Sequence, residues 1–290
     1  MEWLALEIAL ALAAGTLSAF GRAGRVAGRA TSVLAASCAF GPEPEAVQLR
    51  ALLALGGPWI IMQNIRLGRT TPSQPLLLRL WQSLATLDVR RVARVSPSID
   101  RRLLARVAIL APIFAACFYG SFTLSKTLPW PRTFAWAFGT VGVYACADLV
   151  AALLVLGHGL IGLRIPKIHD DPILSKSVME FWGQRWNRIV GDWLFENAFL
   201  PLARRRRPFL GIAASFLISA ALHFHLIFVP LGLEAALTMG TFFVLQIPLI
   251  ALERKLKLGR RPVWVSRAWT LGSLVCLSPL FVEPFLALAP

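Results

Sequence analysis

The chain has 290 residues, of which 57% are apolar and only 16% charged, with a mean hydropathy of +0.64. A soluble domain averages about 45–50% apolar and about 25% charged, so the excess is too large for one buried core, and it excludes a disordered chain. A formal net charge of +15, from 30 Lys+Arg against 15 Asp+Glu, points to nucleic acid in a soluble protein. In a polytopic membrane protein the same excess gathers in cytoplasmic loops and meets anionic lipid heads.

In chain order, Met-Glu-Trp lacks the basic start of a cleaved signal peptide, so Leu4–Phe20 is expected to be a retained span. Val26–Phe40 is a short candidate, and Val47–Ile65 follows with Arg50 near one end. Leu103–Leu124 and Thr133–Leu163 are clear spans, the second long enough to tilt or protrude. Phe209–Val229, Glu234–Leu252 and Val265–Leu286 complete a set of about eight, each needing about 20 residues to cross about 30 Å of hydrocarbon. The expected fold is all-α: one membrane-embedded domain over residues 1–290, with no internal repeat and no soluble domain.

The cations sort by loop. Gly21–Arg29 has three Arg, Arg66–Arg106 nine, Arg164–Arg207 nine Lys+Arg and Glu253–Arg267 six, while the loops between them hold few. Basic and non-basic loops alternate, so the basic loops are expected to be cytoplasmic and both termini to lie on the opposite side. The alternation also calls for the short second span. The four cysteines lie in apolar segments without a CxxC, which suggests neither a disulfide framework nor a metal spacing.

Two non-spanning stretches carry patterns. Pro75–Thr86 is apolar enough for a helix lying in the membrane interface. Ser177-Val-Met-Glu180 is a capping box, so a helix is predicted from there to Pro201. Within it Glu180, Gln184, Arg188, Asp192 and Glu196 form a polar stripe at four-residue spacing, opposite a broad Trp-rich apolar side. Gly183, Asn187 and Gly191 form a third stripe, where two small residues let a backbone or ligand approach the amide.

Of the four histidines, His158 and His169 read as structural or surface residues, whereas His223 and His225 sit deep in the Phe209–Val229 span. An ionisable group inside a membrane is costly to bury and therefore a functional candidate. His223 ends a stripe of small and hydroxylic residues, Gly211, Ser215 and Ser219. It fits either a catalytic role or a core histidine bonded to a neighbouring helix. His225 points roughly 200° away at about 100° per residue, and the span has no carboxylate, so no metal site is expected. No P-loop, GxGxxG, GxSxG or HExxH occurs.

Ser177–Asn187, SVMEFWGQRWN, resembles the S-L-x-D-F-W-G-R-R-W-N signature of the wax synthase branch of membrane-bound O-acyltransferases. It is also similar to the looser F-Y-x-x-W-W-N pattern of diacylglycerol and sterol acyltransferases. Ser219–His223, SAALH, is similar to the family's S-G-L-M-H-E, and Thr71–Arg91 resembles its Pro- and Leu-rich segment ahead of a D-x-R-R turn, here Asp88 to Arg91. The close match covers residues 175–226. Two positions depart from it: Phe224 stands where the family has Glu, and Ala220 where it has Gly.

The resemblance implies transfer of a fatty acyl group from acyl-CoA to a lipophilic alcohol, with His223 as the catalytic histidine and Asn187 as the active-site asparagine. Trp182, Arg185, Trp186, Arg188 and Ser219 are the implied substrate contacts. Acyl-CoA is then a co-substrate, no further cofactor or metal is called for, and membrane lipids rather than nucleic acid are the surroundings. The basic loops, Arg204–Arg207 among them, would face the CoA phosphates. Rival readings are a non-catalytic lipid-binding or transport protein, and an isoprenoid-processing enzyme on the same scaffold using His223 or Asp148.

Overall fold

A computed structural model describes residues 2–69, 75–85, 88 and 91–289. Helices occupy the place of every expected span: α1 (Glu2–Leu17), α2 (Gly21–Ser37), α3 (Val47–Leu67), α5 (Arg101–Phe122), α6 (Pro131–Leu160), α10 (Pro208–Leu231), α11 (Leu233–Lys255) and α12 (Val263–Leu286). Between them lie α4 (Leu76–Leu84), the strands β1 (Ala93–Arg94) and β2 (Leu163–Arg164), and the short helices α7 (Val178–Glu180), α8 (Arg188–Leu194) and α9 (Leu200–Ala203). The fold is all-α, polytopic and membrane-embedded.

Among the described residues five helices are long and apolar enough to cross a bilayer: α5, α6, α10, α11 and α12. The expected count of about eight is thus not confirmed, because the other three helices fall short of these limits in length or apolarity. At 1.5 Å per residue, the 16 residues of α1 and 17 of α2 reach only about 24–26 Å. The 21 residues of α3 are long enough, but Gln63, Asn64 and Arg66 are buried within it as polar groups. The 30 residues of α6 extend about 45 Å, so this helix does outrun the hydrocarbon.

The chain divides into two compact units. The first comprises Met1–Arg90, Ala221–Leu237 and Leu288–Pro290. Its core is made of small and branched residues: Ala39, Leu53, Ala54 and Val229 in one cluster, and Ala11, Ala35 and Ile60 in another. Close crossings need glycine: a Cβ on Gly57 of α3 would stand 2.5 Å from the Ala36 Cα of α2, and one on Gly15 of α1 only 1.9 Å from the Ser83 Oγ of α4.

Helix α4 has its polar side inward. Arg79, Gln82 and Ser83 are buried while Leu76, Leu77 and Leu84 are exposed. A helix stands where the amphipathic segment was expected, and its inner face joins a polar interior. Arg79 donates to Ser18 Oγ at 2.7 Å, Asn64 Nδ2 to the Ala14 carbonyl at 2.9 Å, and Trp59 Nε1 to the Ala85 carbonyl at 2.9 Å. The Thr71–Gln74 part of the Pro- and Leu-rich segment, and two residues of the turn ending at Arg91, lie outside the described residues.

The second unit comprises Arg91–Ala220 and Thr238–Ala287. An α5–α6 hairpin forms its frame, α12 packs along α6, and β1 pairs antiparallel with β2 (Ala93 with Arg164, Arg94 with Leu163). Asp100 caps α5 by accepting from the amides of Arg102 (2.8 Å) and Leu103 (3.3 Å). Mid-helix prolines such as Pro112 and Pro248 are tolerated in membrane helices, where neighbours resatisfy the freed carbonyls.

Candidate active site

The segment Ser177–Ala203 is not one helix. Ser177 starts it as predicted: its Oγ accepts from the Glu180 amide at 2.9 Å. The return arm differs from a full capping box, because Glu180 Oε2 accepts from the Lys176 amide (2.8 Å) rather than from the cap residue itself. Glu253 of α11 takes the Val178 amide at 2.8 Å. Two of the amides that a helix start leaves without intrahelical partners are thus held by side chains.

The helix then widens into a π-turn over Phe181–Arg185, closed by the Trp186 amide on the Phe181 carbonyl (2.8 Å). Trp186 is extended, and Asn187 lies in the left-handed region at φ 40°, ψ 59°. A new helix, α8, begins there, with Asn187 as its cap: Oδ1 accepts from the Val190 amide at 3.4 Å. The predicted stripes through residues 180–196 are therefore broken at 186–187. Gly183, Asn187 and Gly191 do not share a face; Gly191 instead packs under the Trp182 carbonyl, which would lie 3.4 Å from a Cβ there. A second π-turn spans Phe195–Phe199. Pro201 does not end the segment, because it sits in the first turn of α9, where its missing N–H costs nothing.

The signature side chains around this break have different partners. Trp182 points to α11, where Nε1 donates to Gln246 Oε1 at 3.1 Å, and meets Phe216 and Phe242 edge-on. Trp186 stacks on Phe181 (centroids 5.5 Å apart), is flanked by Tyr144 and the edge of His169 (4.4 Å), and meets Trp182 edge-on at 6.5 Å. Arg185 is engaged within the chain: Nε donates to Glu180 Oε1 at 2.6 Å and a terminal nitrogen to the Asp170 carbonyl at 2.9 Å. Arg188 is half-buried, and its amide donates to the Ile168 carbonyl at 2.9 Å.

Residues 168–170 run beside 185–188, because the Asp170 amide also donates to the Arg185 carbonyl at 2.9 Å. The loop is tied down on its other side by Arg106, which bonds Asp148 of α6 (2.8 Å) and Asp171 (3.0 Å). His169 therefore sits beside the signature turn, with Nδ1 buried and without a hydrogen-bond partner. Burial lowers its pKa from 6.5 to about 4; the nearby Asp148 opposes this and Arg106 adds to it. Sequence reasoning passed over His169, Glu253 and Gln246, since their roles come from chain crossings and no spacing announces them. The only signal was the Ile-His-Asp-Asp-Pro run just ahead of the motif.

Ser219 is buried on the second-unit half of α10, one turn from Phe216. Gly211 on the same face lets α10 approach the Phe199 carbonyl, which would lie 2.8 Å from a Cβ, and Ser215 Oγ donates back to the Gly211 carbonyl at 2.9 Å. His223 is half-buried on the first-unit half of α10. His225 meets the edge of Phe40 at 5.9 Å.

Residues 165–245 match the family model described as the membrane bound O-acyl transferase family. That segment is similar to the membrane-bound O-acyltransferases. The match takes in the whole SVMEFWGQRWN turn and the histidines of α10. Similar proteins include probable long-chain-alcohol O-fatty-acyltransferase 3 of Arabidopsis thaliana, 31% identical over 48% of this chain and 44% of that one. Probable long-chain-alcohol O-fatty-acyltransferase 2 of the same plant is 28% identical over 41% of this chain and 37% of its own. The long-chain-alcohol O-fatty-acyltransferase of Simmondsia chinensis is 34% identical over 19% and 16%. The chain spans roughly two fifths of the length of the first curated relatives it matches.

Proposed function

We propose that the protein is a membrane-bound acyltransferase that moves a fatty acyl group from acyl-CoA to a long-chain alcohol, giving a wax-type ester. The observation that carries this reading is the signature turn itself: a left-handed Asn187 between two helices, in the segment that matches the acyltransferase family. The names of the plant relatives support the choice of a fatty alcohol over other acceptors.

An alcohol is a weak nucleophile, so a base must take its proton as it attacks. His223 is the candidate base. The alcohol oxygen bonds to the thioester carbonyl carbon, and the π pair moves onto oxygen. When that pair returns, the C–S bond breaks and the CoA thiolate takes the proton from the imidazolium. Negative charge on the carbonyl oxygen calls for a donor fixed in advance. Capping turns Asn187 Oδ1 toward its own helix, which leaves the amide NH2 to serve the substrate. Trp182, Trp186 and Ser219 line the apolar route of the acyl chain. With Arg185 engaged by Glu180, the CoA phosphates fall to the exposed Arg204–Arg207 run and to Arg188. No resident cofactor or metal is needed.

The test incubates the purified full chain with labelled palmitoyl-CoA and a panel of fatty alcohols, beside His223→Ala and Asn187→Gly. Labelled ester in the wild type and a loss of at least about 100-fold in both variants is the expected result. No ester from any alcohol, or undiminished ester from His223→Ala, overturns the proposal.

A further inference from the structure

We infer that His169 is a second hydrogen-bond donor to the thioester carbonyl, working beside Asn187. The inference rests on the acyl-transfer reading above and deepens it by assigning a catalytic residue outside the signature. Three observations support it.

The first is placement. The two backbone hydrogen bonds between 168–170 and 185–188 hold the loop against the signature turn, and the His169 ring lies on Trp186, the residue that precedes Asn187. The Arg106 guanidinium fixes the far side of the same loop through Asp171. The imidazole is thereby held by ties on both flanks, as a preorganised donor must be.

The second is an unmet bond. Nδ1 of His169 is buried with no protein partner. A buried polar nitrogen left without a partner is destabilising, and a substrate carbonyl beside Asn187 would satisfy it. The aromatic walls, Phe181, Trp186 and Tyr144, lower the local dielectric, which strengthens any bond made there.

The third is charge state. The groups facing His169 are Asp148 from α6, Arg106 from α5, Trp186 from the signature turn, and Asp170 and Asp171 on its own loop. Arg106 is bonded to both Asp148 and Asp171, and burial together with this cation outweighs the pull of Asp148, so the imidazole stays neutral. A neutral imidazole has one N–H to give. With the proton on Nδ1 it donates to the carbonyl oxygen and neither gains nor loses a proton during the reaction. As the alcohol oxygen bonds to carbon, the π pair collects on an oxygen held by the Asn187 amide and the His169 N–H. When the C–S bond breaks, both bonds relax to ground-state strength. The proton of the alcohol travels by His223, not by His169.

The experiment has two arms. In the first, kcat and KM for palmitoyl-CoA are measured for wild type, His169→Phe and His169→Gln. Phe keeps the ring against Trp186 but has no donor, so kcat should fall about 10²–10³-fold with KM changed less than about threefold. Gln supplies an N–H and should recover part of the loss, which a purely structural ring would not do. In the second arm, carbonyl-13C palmitoyl-CoA is bound without alcohol and the thioester C=O stretch is read by difference infrared spectroscopy. The band should move to lower frequency in wild type and return toward its free position in His169→Phe. Unchanged kcat, or the same band position in both proteins, overturns the inference. If the wild type makes no ester but its C=O band shifts and His169→Phe abolishes the shift, the carbonyl site stands and the acyltransferase reading falls. If His169→Phe fails to fold, His169→Gln decides: a band that moves and activity that survives support the donor, and loss of both overturns it.

Discussion

Asn187 carries two demands that only one residue type meets. Its backbone is left-handed, which costs an L-residue roughly 1–2 kcal/mol, and least for asparagine or glycine. Its side chain caps α8 and presents an amide. The two demands separate by substitution. Asn187→Gly keeps the backbone and should lower the melting temperature by only a few degrees while abolishing ester formation. Asn187→Ala adds the left-handed strain and loses the cap, for a total of about 2 kcal/mol, read by thermal unfolding in detergent. His169 gives a pH test. Its folded pKa lies near 4 and its unfolded value near 6.5, so between them the unfolded chain binds more protons. Stability is therefore full above about pH 6.5 and declines as pH falls toward 4. His169→Phe should flatten that slope in melting curves taken at pH 7.5 and 4.5.

At the scale of elements, the sequence shows where helices lie but not where they bend. Apolar runs locate α5, α6, α10, α11 and α12 within a few residues, because a bilayer demands length and uniform apolarity, both of which are local. The Ser177 cap was legible for the same reason. The break at Trp186–Asn187 was hidden, since the four-residue spacing of polar groups continues through it; the widened turn and the left-handed residue are imposed by packing on α11 and on the 168–170 loop. Asn187 itself was the one visible hint, as asparagine tolerates that conformation. Likewise α4 was legible as an amphipathic helix, whereas its inward polar face depends on partners in α1 and α3. Its seating is testable. Gly15→Ala places a Cβ 1.9 Å from Ser83 Oγ and should cost about 1–3 kcal/mol through overpacking. Ser83→Ala removes that oxygen and leaves the next atom at 3.2 Å, so the double variant should recover most of the loss in a thermal-unfolding comparison.

At the scale of the whole molecule, net charge and apolarity have a common origin in a membrane protein whose cations gather between spans. The structure keeps Arg204–Arg207 exposed at the turn that leads into α10, and the positive-inside rule predicts the cytoplasmic side for such a run. A single cysteine at Arg205→Cys, in a chain whose four native cysteines are replaced by alanine, should react with an impermeant maleimide in cytosol-out vesicles. It should stay unlabelled in sealed cells; the opposite pattern reverses the orientation.

The inward polar face of α4 also bears on how the chain exchanges with solvent. Leu76, Leu77 and Leu84 face outward, where lipid tails or detergent cover them, while Arg79, Gln82 and Ser83 are closed off by α1 and α3. The amides of this nine-residue helix are thus screened on both sides. In deuterated buffer they should exchange slowly, at a pace set by opening of the whole first unit, although so short a helix in water would fray within microseconds.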